Sequence, residues 1–262
     1  MFCAAITLPI AVSCSDDNDI DNGVDGFVPI VNGKSLVKIM EGNNTTEFEY
    51  NTNYQVLKVK QKYEHGTTSE ISFSYEPKRI IMNPYDKIYY LNKERITECK
   101  YTALPSNEST LAIDFKESYE YDNNGYLIKK TIPLDNISEE GYNTQSIVYK
   151  WHDGNIYKIN HSDTNGDYVD EITISYTSYA NTIPDVSQGL VGWTDSYLGW
   201  QGYFGKRCKN LPASETVTTF YNNETTTYHY EYTIEDGVVT KVSARWNYKG
   251  YPSTRVFVLE WY

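Results

Sequence analysis

A chain of 262 residues with 35 Asp and Glu against 23 Lys and Arg carries a formal net charge of −12. It has no Lys/Arg run longer than two residues, hence no basic face from which a phosphate backbone would release counterions, and nucleic acid is excluded as a partner. Sixteen Gly, nine Pro and 40% hydrophobic residues exclude wholesale disorder and collagen-like repeats, while 26 Tyr against 8 Phe and 3 Met point to a β-rich chain with half-buried faces.

Residues 2–13 (FCAAITLPIAVS) are uncharged and mostly apolar and small, the pattern of an export signal, and they are too few to span a bilayer. Ala11-Val12-Ser13-Cys14 resembles a bacterial lipobox, in which small residues precede a Cys that is lipidated after cleavage; Ala11 stands where Leu is usual. The resemblance implies a signal peptide over 1–13, lipidation at Cys14 and a membrane as partner through the lipid. Ser15 to Gly26 contains five Asp and no basic residue, so it cannot bury a face and reads, within 14–27, as a solvated tether. The Cys-Ser-Asp-Asp start also resembles the acidic export tag of surface-exposed Bacteroidetes lipoproteins. The implied address is the outer membrane, facing the cell surface, with a periplasm-facing orientation as the alternative. Beyond the leader and the anchor only Cys99 and Cys208 remain, and the sequence allows them to pair or to stay apart.

Residues 28–262 read as a single domain of alternating segments separated by Asn, Asp and Gly. In Tyr228–Ile234 the Tyr and Ile positions share one face; in the next segment Val238, Thr240, Val242, Ala244, Trp246 and Tyr248 share one, and Glu235-Asp236-Gly237 is the turn between them. Similar units recur at 119–130 and 148–159, with weaker copies at 48–60, 73–82 and 89–99. The shared form is an aromatic-x-aromatic strand, an acidic or Asn-Gly turn, and an apolar-x-Lys return strand. The expected fold is all-β, an antiparallel β-meander of about 14–17 strands, too many for a flat open sheet and therefore curled or closed into a barrel.

The Tyr-x-Tyr-Asp-x-x-Gly-x-Leu unit at 119–127 is similar to tyrosine-aspartate repeats. Lipobox, tether, hairpin units and the stretch Gly202–Pro212 together resemble a Bacteroidetes lipoprotein family, a domain of unknown function with a porin-like fold. That resemblance implies a barrel-like meander and brings no activity or catalytic residue with it.

Between 186 and 210 the alternation stops, and a short helical or loop insertion is expected. Trp193, Tyr197, Trp200 and Phe204 are spaced to share one helical stripe, with Tyr203, Lys206, Arg207 and Lys209 beside or after it. One reading is a lid or plug whose rings face the sheet. The other is an exposed aromatic platform for a glycan or an anionic ligand, with Trp193, Tyr197, Trp200, Tyr203, Phe204, Lys206 and Arg207 as its binding residues. In a helix, the cations would also suit its C-terminal end.

No catalytic constellation, metal set or cofactor motif is expected. His65, His152, His161 and His229 match no zinc spacing, and His152 and His161 should lie roughly 20 Å apart along a return strand. Asp163–Glu171 has oxygen-bearing residues in alternation but no calcium-loop register, and reads as an Asn-Gly hairpin turn. The expected protein is a non-catalytic, lipid-anchored envelope protein binding a glycan or another envelope component. Its alternatives are a structural scaffold, a glycoside hydrolase using carboxylates such as Asp114, Asp195 and Glu215, and an outer-membrane barrel suggested by the aromatic Val256–Tyr262 terminus.

Overall fold

The computed structural model describes residues 30–103, 113–132, 146–163, 165–184 and 196–262. The leader, Cys14, the tether, Trp193 and Asp195 lie outside them. In chain order the elements are β1 (Ile30–Val31), β2 (Lys34–Glu41), β3 (Asn44–Tyr50), β4 (Val56–Lys62), β5 (Thr68–Glu76), β6 (Arg79–Asn83), β7 (Lys87–Asn92), β8 (Arg95–Ala103) and β9 (Ile113–Tyr121). There follow β10 (Leu127–Thr131), β11 (Ser146–His152), β12 (Asn155–Ser162), β13 (Tyr168–Ala180), α1 (Ser196–Trp200), β14 (Asn210–Thr219), β15 (Glu224–Glu235), β16 (Val238–Tyr248) and β17 (Tyr251–Trp261).

Every strand from β2 onward pairs antiparallel with its chain neighbour, as a meander requires, and β17 returns to β2 with Lys38 opposite Glu260 and Ile39 opposite Leu259. The sixteen strands β2–β17 thus close into a barrel, and β1 is an extra strand on β2. Closure removes the sheet edges that so long a meander would otherwise expose. The turns follow the sequence. Asp153-Gly154 and Asp236-Gly237 have φ of 49° and 75°, and 51° and 75°, the paired left-handed residues of a tight hairpin. The longer turns are held by a side chain: Asp163 Oδ1 accepts the amides of Asn165 and Asp167, as Asp122 Oδ1 accepts those of Asn124 and Tyr126. The carboxylate of Asp163 therefore serves the hairpin, as the sequence suggests.

Besides a separate bulge at Val169 of β13, seven described strands carry a one-residue bulge in a common series, with Val37, Leu57, Thr97, Ile128, Tyr157, Ala213 and Thr240 as the extra residues. A bulge interrupts the ladder. Just before each of these seven, a backbone carbonyl accepts a hydrogen bond from an aromatic side chain on the next strand. Tyr50, Tyr75, Tyr121, Tyr176 and Tyr232 donate their hydroxyls to Leu36, Val56, Ile96, Ile156 and Pro212, and Trp151 and Trp261 donate indole N–H to Leu127 and Val239. All seven bonds measure 2.5–2.8 Å. The eighth strand of this set, β6, pairs without a bulge, and on β7 the apolar Leu91 takes the place of the aromatic donor.

The apolar-x-Lys theme is this bulge seen in sequence. The apolar residue points inward, the middle residue is extra, and Lys38, Lys58, Lys129, Lys158 or Lys241 resumes the outward face. One expectation is corrected here: Thr240 does not share the inward face with Val242 and Ala244, because it is the extra residue, and Val239 is buried in the core instead.

Inward positions form the core. Phe48, Val59, Phe73, Ile80, Tyr89, Tyr119, Tyr149, Ile159 and Tyr230 are all buried. Outward positions are charged and paired across strands, as in Lys60–Glu49, Lys58–Glu70, Lys116–Glu98, Lys158–Glu171 and Arg245–Glu231.

The connection from β13 to β14 supplies α1 and a series of turns that enter one end of the barrel as a plug. Its attachments fall on the bulge row: Val56 N–H donates to Gln201 Oε1 (2.9 Å), Ile96 N–H to the Tyr203 carbonyl (2.8 Å) and Ile156 N–H to Cys208 Sγ (3.5 Å). Leu198 and Trp200 are 0% and 1% exposed.

Candidate functional site

Of the stripe expected over Trp193, Tyr197, Trp200 and Phe204, Trp193 lies outside the described residues, and the other three do not continue one helix as an exposed row. Among the described residues the helix covers Ser196–Trp200 and ends there, because Gly202 and Gly205 take φ of 80° and 82° and turn the chain back. A Cβ on Gly205 would also stand 2.4 Å from the Gly125 carbonyl oxygen, so the plug seats against that turn only with glycine there. Tyr197, Trp200 and Phe204 are nonetheless buried. Phe48 meets Tyr197 and Trp200 edge-on at 5.6 and 5.7 Å, and Phe204 lies against Tyr89 and Tyr119. These rings are not an exposed platform; they fill the barrel, the other arrangement the sequence allows.

Lys206, Arg207 and Lys209 follow the turns and do not end the helix. Lys206 places its ammonium over Tyr126, Arg207 donates to the Ile183 carbonyl at 2.6 Å, and the Lys209 amide bonds Gly154. Tyr203 stacks on Tyr75, and the Gln55 amide donates to its hydroxyl. Cys208 sits by Tyr176 while Cys99 faces the interior from β8, and the two do not form a disulfide.

Polar side chains share the inward face nearer the opposite end, the mouth, almost always in pairs. Glu117 and Lys130 form a buried ion pair (2.9 Å), with the Tyr119 hydroxyl donating to Glu117 at 2.6 Å. His161 faces Asp170 at 2.7 Å, and Tyr230 donates to Glu215 at 3.0 Å. His65, His152 and His229 are exposed. Among the described residues no three His, Cys, Asp or Glu side chains gather as a metal set.

A cavity of about 400 Å³ opens at the mouth, between β2–β5 and β17. Tyr197, at the tip of the plug, and Ile71 line it, as do Asn44, Thr46, Gln61, Glu41 and Arg255 along the strands and Tyr63 and Tyr85 beside the turns. Gln61 is its hub: its amide oxygen accepts from the hydroxyls of Ser69 and Tyr63, each at 3.1 Å, and its amide nitrogen donates to Tyr197 at 3.4 Å. Burial pushes the Tyr197 phenol up to about 12, the bond from Gln61 opposing, so at neutral pH it is a protonated hydroxyl. Arg255 grips Glu41 through two nitrogens, which raises its pKa and fixes it as a cation.

Among the described site residues legible in sequence, only Tyr197 belongs to this cavity. Those missed carried a signal: Gln61 is in phase with buried Val59, Glu41 with Ile39, and Arg255 with Phe257 and Leu259. A polar residue in the apolar phase of a strand marks a lumen position with a specific partner.

The fold is similar to those of two solved porin-like proteins. One from Bacteroides uniformis aligns with a TM-score of 0.65 and 19% identity, covering 87% of this chain and 96% of its own. One from Bacteroides vulgatus aligns with a TM-score of 0.58 and 14% identity, covering 86% and 97%. No family model and no curated protein matches the chain.

Proposed function

We propose that this chain is a non-catalytic protein of a bacterial envelope, anchored by a lipid on Cys14, whose filled barrel stands in water and offers its mouth cavity to a ligand. The observation that carries the reading is the polarity of the wall. A barrel crossing a bilayer needs an outward apolar band, and each Lys or Arg at the bilayer midplane costs about 2–4 kcal/mol. Here Glu49, Lys58, Lys60, Glu98, Lys100, Lys116, Lys150, Lys158 and Arg245 point outward along the strands. In β17 the aromatic phase, Phe257 and Trp261, faces inward and leaves Val256, Val258 and Glu260 outside. The plug and the aromatic core favour a solid body over an aqueous channel, and the porin-like shape of the neighbours is compatible with either medium.

The barrel follows the lipidated residue after a tether, so removing the anchor separates the two media. In envelope fractions the wild-type protein is expected to sediment with membranes and Cys14→Ser to be released without detergent. Retention of Cys14→Ser in membranes through an alkaline carbonate wash would count for a spanning barrel.

A further inference from the structure

We infer that the mouth cavity is a site for one uncharged sugar ring, with Gln61, Glu41 and Arg255 addressing its hydroxyls and Tyr63, Tyr85 and Tyr197 its faces. The inference deepens the proposal of a water-standing barrel and rests on it.

The chemistry of the lining selects the ligand. The cavity lies within the roughly 300–1,000 Å³ range of small-molecule sites. Of the charged residues along it, Glu41 and Arg255 face inward and are joined to each other, so they cancel, while Lys62 belongs to the outward phase of Lys60 and stands at the edge. A carboxylate gripped by two guanidinium nitrogens still has lone pairs, and with its arginine it presents an acceptor and donors side by side. Adjacent ring hydroxyls, each both donor and acceptor, match that pairing.

Gln61 extends the polar edge, and Asn44 and Thr46 add further donors and acceptors. A purely apolar ligand would strand these groups and find only Ile71 as an aliphatic wall. Tyr63 and Tyr85, 41% and 46% exposed, stand at the rim, where a ring bearing axial C–H groups gains contact without losing its hydroxyls. The Tyr197 hydroxyl, kept neutral and held by Gln61, closes the floor. The insertion thus takes part through one residue at its tip, and not through a row of rings.

The test is a titration of the folded protein with glucose, galactose, mannose, xylose and N-acetylglucosamine, followed by ligand-observed NMR, with glucuronate as the charged comparison. At least one neutral sugar is expected to bind saturably with a Kd on the order of 1 mM, and glucuronate more weakly. Gln61→Ala and the rim variant Tyr63→Ala should each weaken that binding about tenfold, while the outward Lys60→Ala leaves it unchanged. Because Tyr63 is half exposed, its variant tests the site without endangering the core. Absence of saturable binding for every neutral sugar, binding indifferent to both cavity variants, or a preference for glucuronate would each overturn the inference. None of those results would alter the fractionation of Cys14→Ser, which tests the barrel's medium independently.

Discussion

Trp200→Ala is expected to destabilise the barrel by about 3–5 kcal/mol, the cost of emptying a large buried aromatic site. The ring is 1% exposed and edge-on to Phe48 of β3, and the neighbouring Leu198 is 0% exposed. The plug is thereby part of the same core as the strands. For a chain of this size the loss corresponds to a midpoint lower by roughly 6–20 °C in thermal unfolding followed by circular dichroism. Val258→Ala, on the outward face, should shift stability by no more than about 0.5 kcal/mol. A Trp200→Ala protein as stable as Val258→Ala would mean that the insertion is an appendage to a barrel that stands without it.

The second large effect is expected from three hydroxyls. Tyr121→Phe, Tyr176→Phe and Tyr232→Phe each keep the ring in place and remove the donor that holds a carbonyl beside a bulge, leaving that acceptor unmatched. Each loss should cost about 1–2 kcal/mol. The three lie on β9, β13 and β15 and address different carbonyls, so the costs should add to about 3–6 kcal/mol in the triple variant. Urea unfolding of the singles and the triple checks both magnitude and additivity. A triple variant within about 0.5 kcal/mol of wild type would show that the bulges hold without these bonds.

Much of this architecture is written locally. Asp-Gly and Asn-Gly pairs mark hairpins because both turn residues need positive φ, and the aromatic-x-aromatic strands and apolar-x-Lys returns mark the repeating unit. What the unit does is not local. A bulge exists only in the register between two strands, so Thr240 looks like an inward residue until Thr233 is found opposite Lys241 and Ile234 opposite Val239. Closure depends on β17 meeting β2, a pairing between the two ends of the domain that no window of sequence contains.

The insertion was half legible. Its aromatic spacing carried the burial of Tyr197, Trp200 and Phe204, but helical periodicity could not say that Gly202 and Gly205 would end the helix at Trp200. The mouth cavity was the least legible part, since its polar residues come from strands remote in sequence. Arg255 and Glu41 are 214 positions apart and meet only because the barrel closes.

In the proposed water-standing barrel the outer face of the wall meets water, and two adjacent residues of β4 report on it. Val59 is 0% exposed inside the barrel, and Lys60 points outward beside Glu49. In intact envelopes, a membrane-impermeant maleimide that reaches the protein's compartment should label Lys60→Cys fully, with Val59→Cys unlabelled until the protein is unfolded. Lys60→Cys shielded until detergent is added, together with a reactive Val59→Cys, would place lipid outside and water within, and would contradict the proposal.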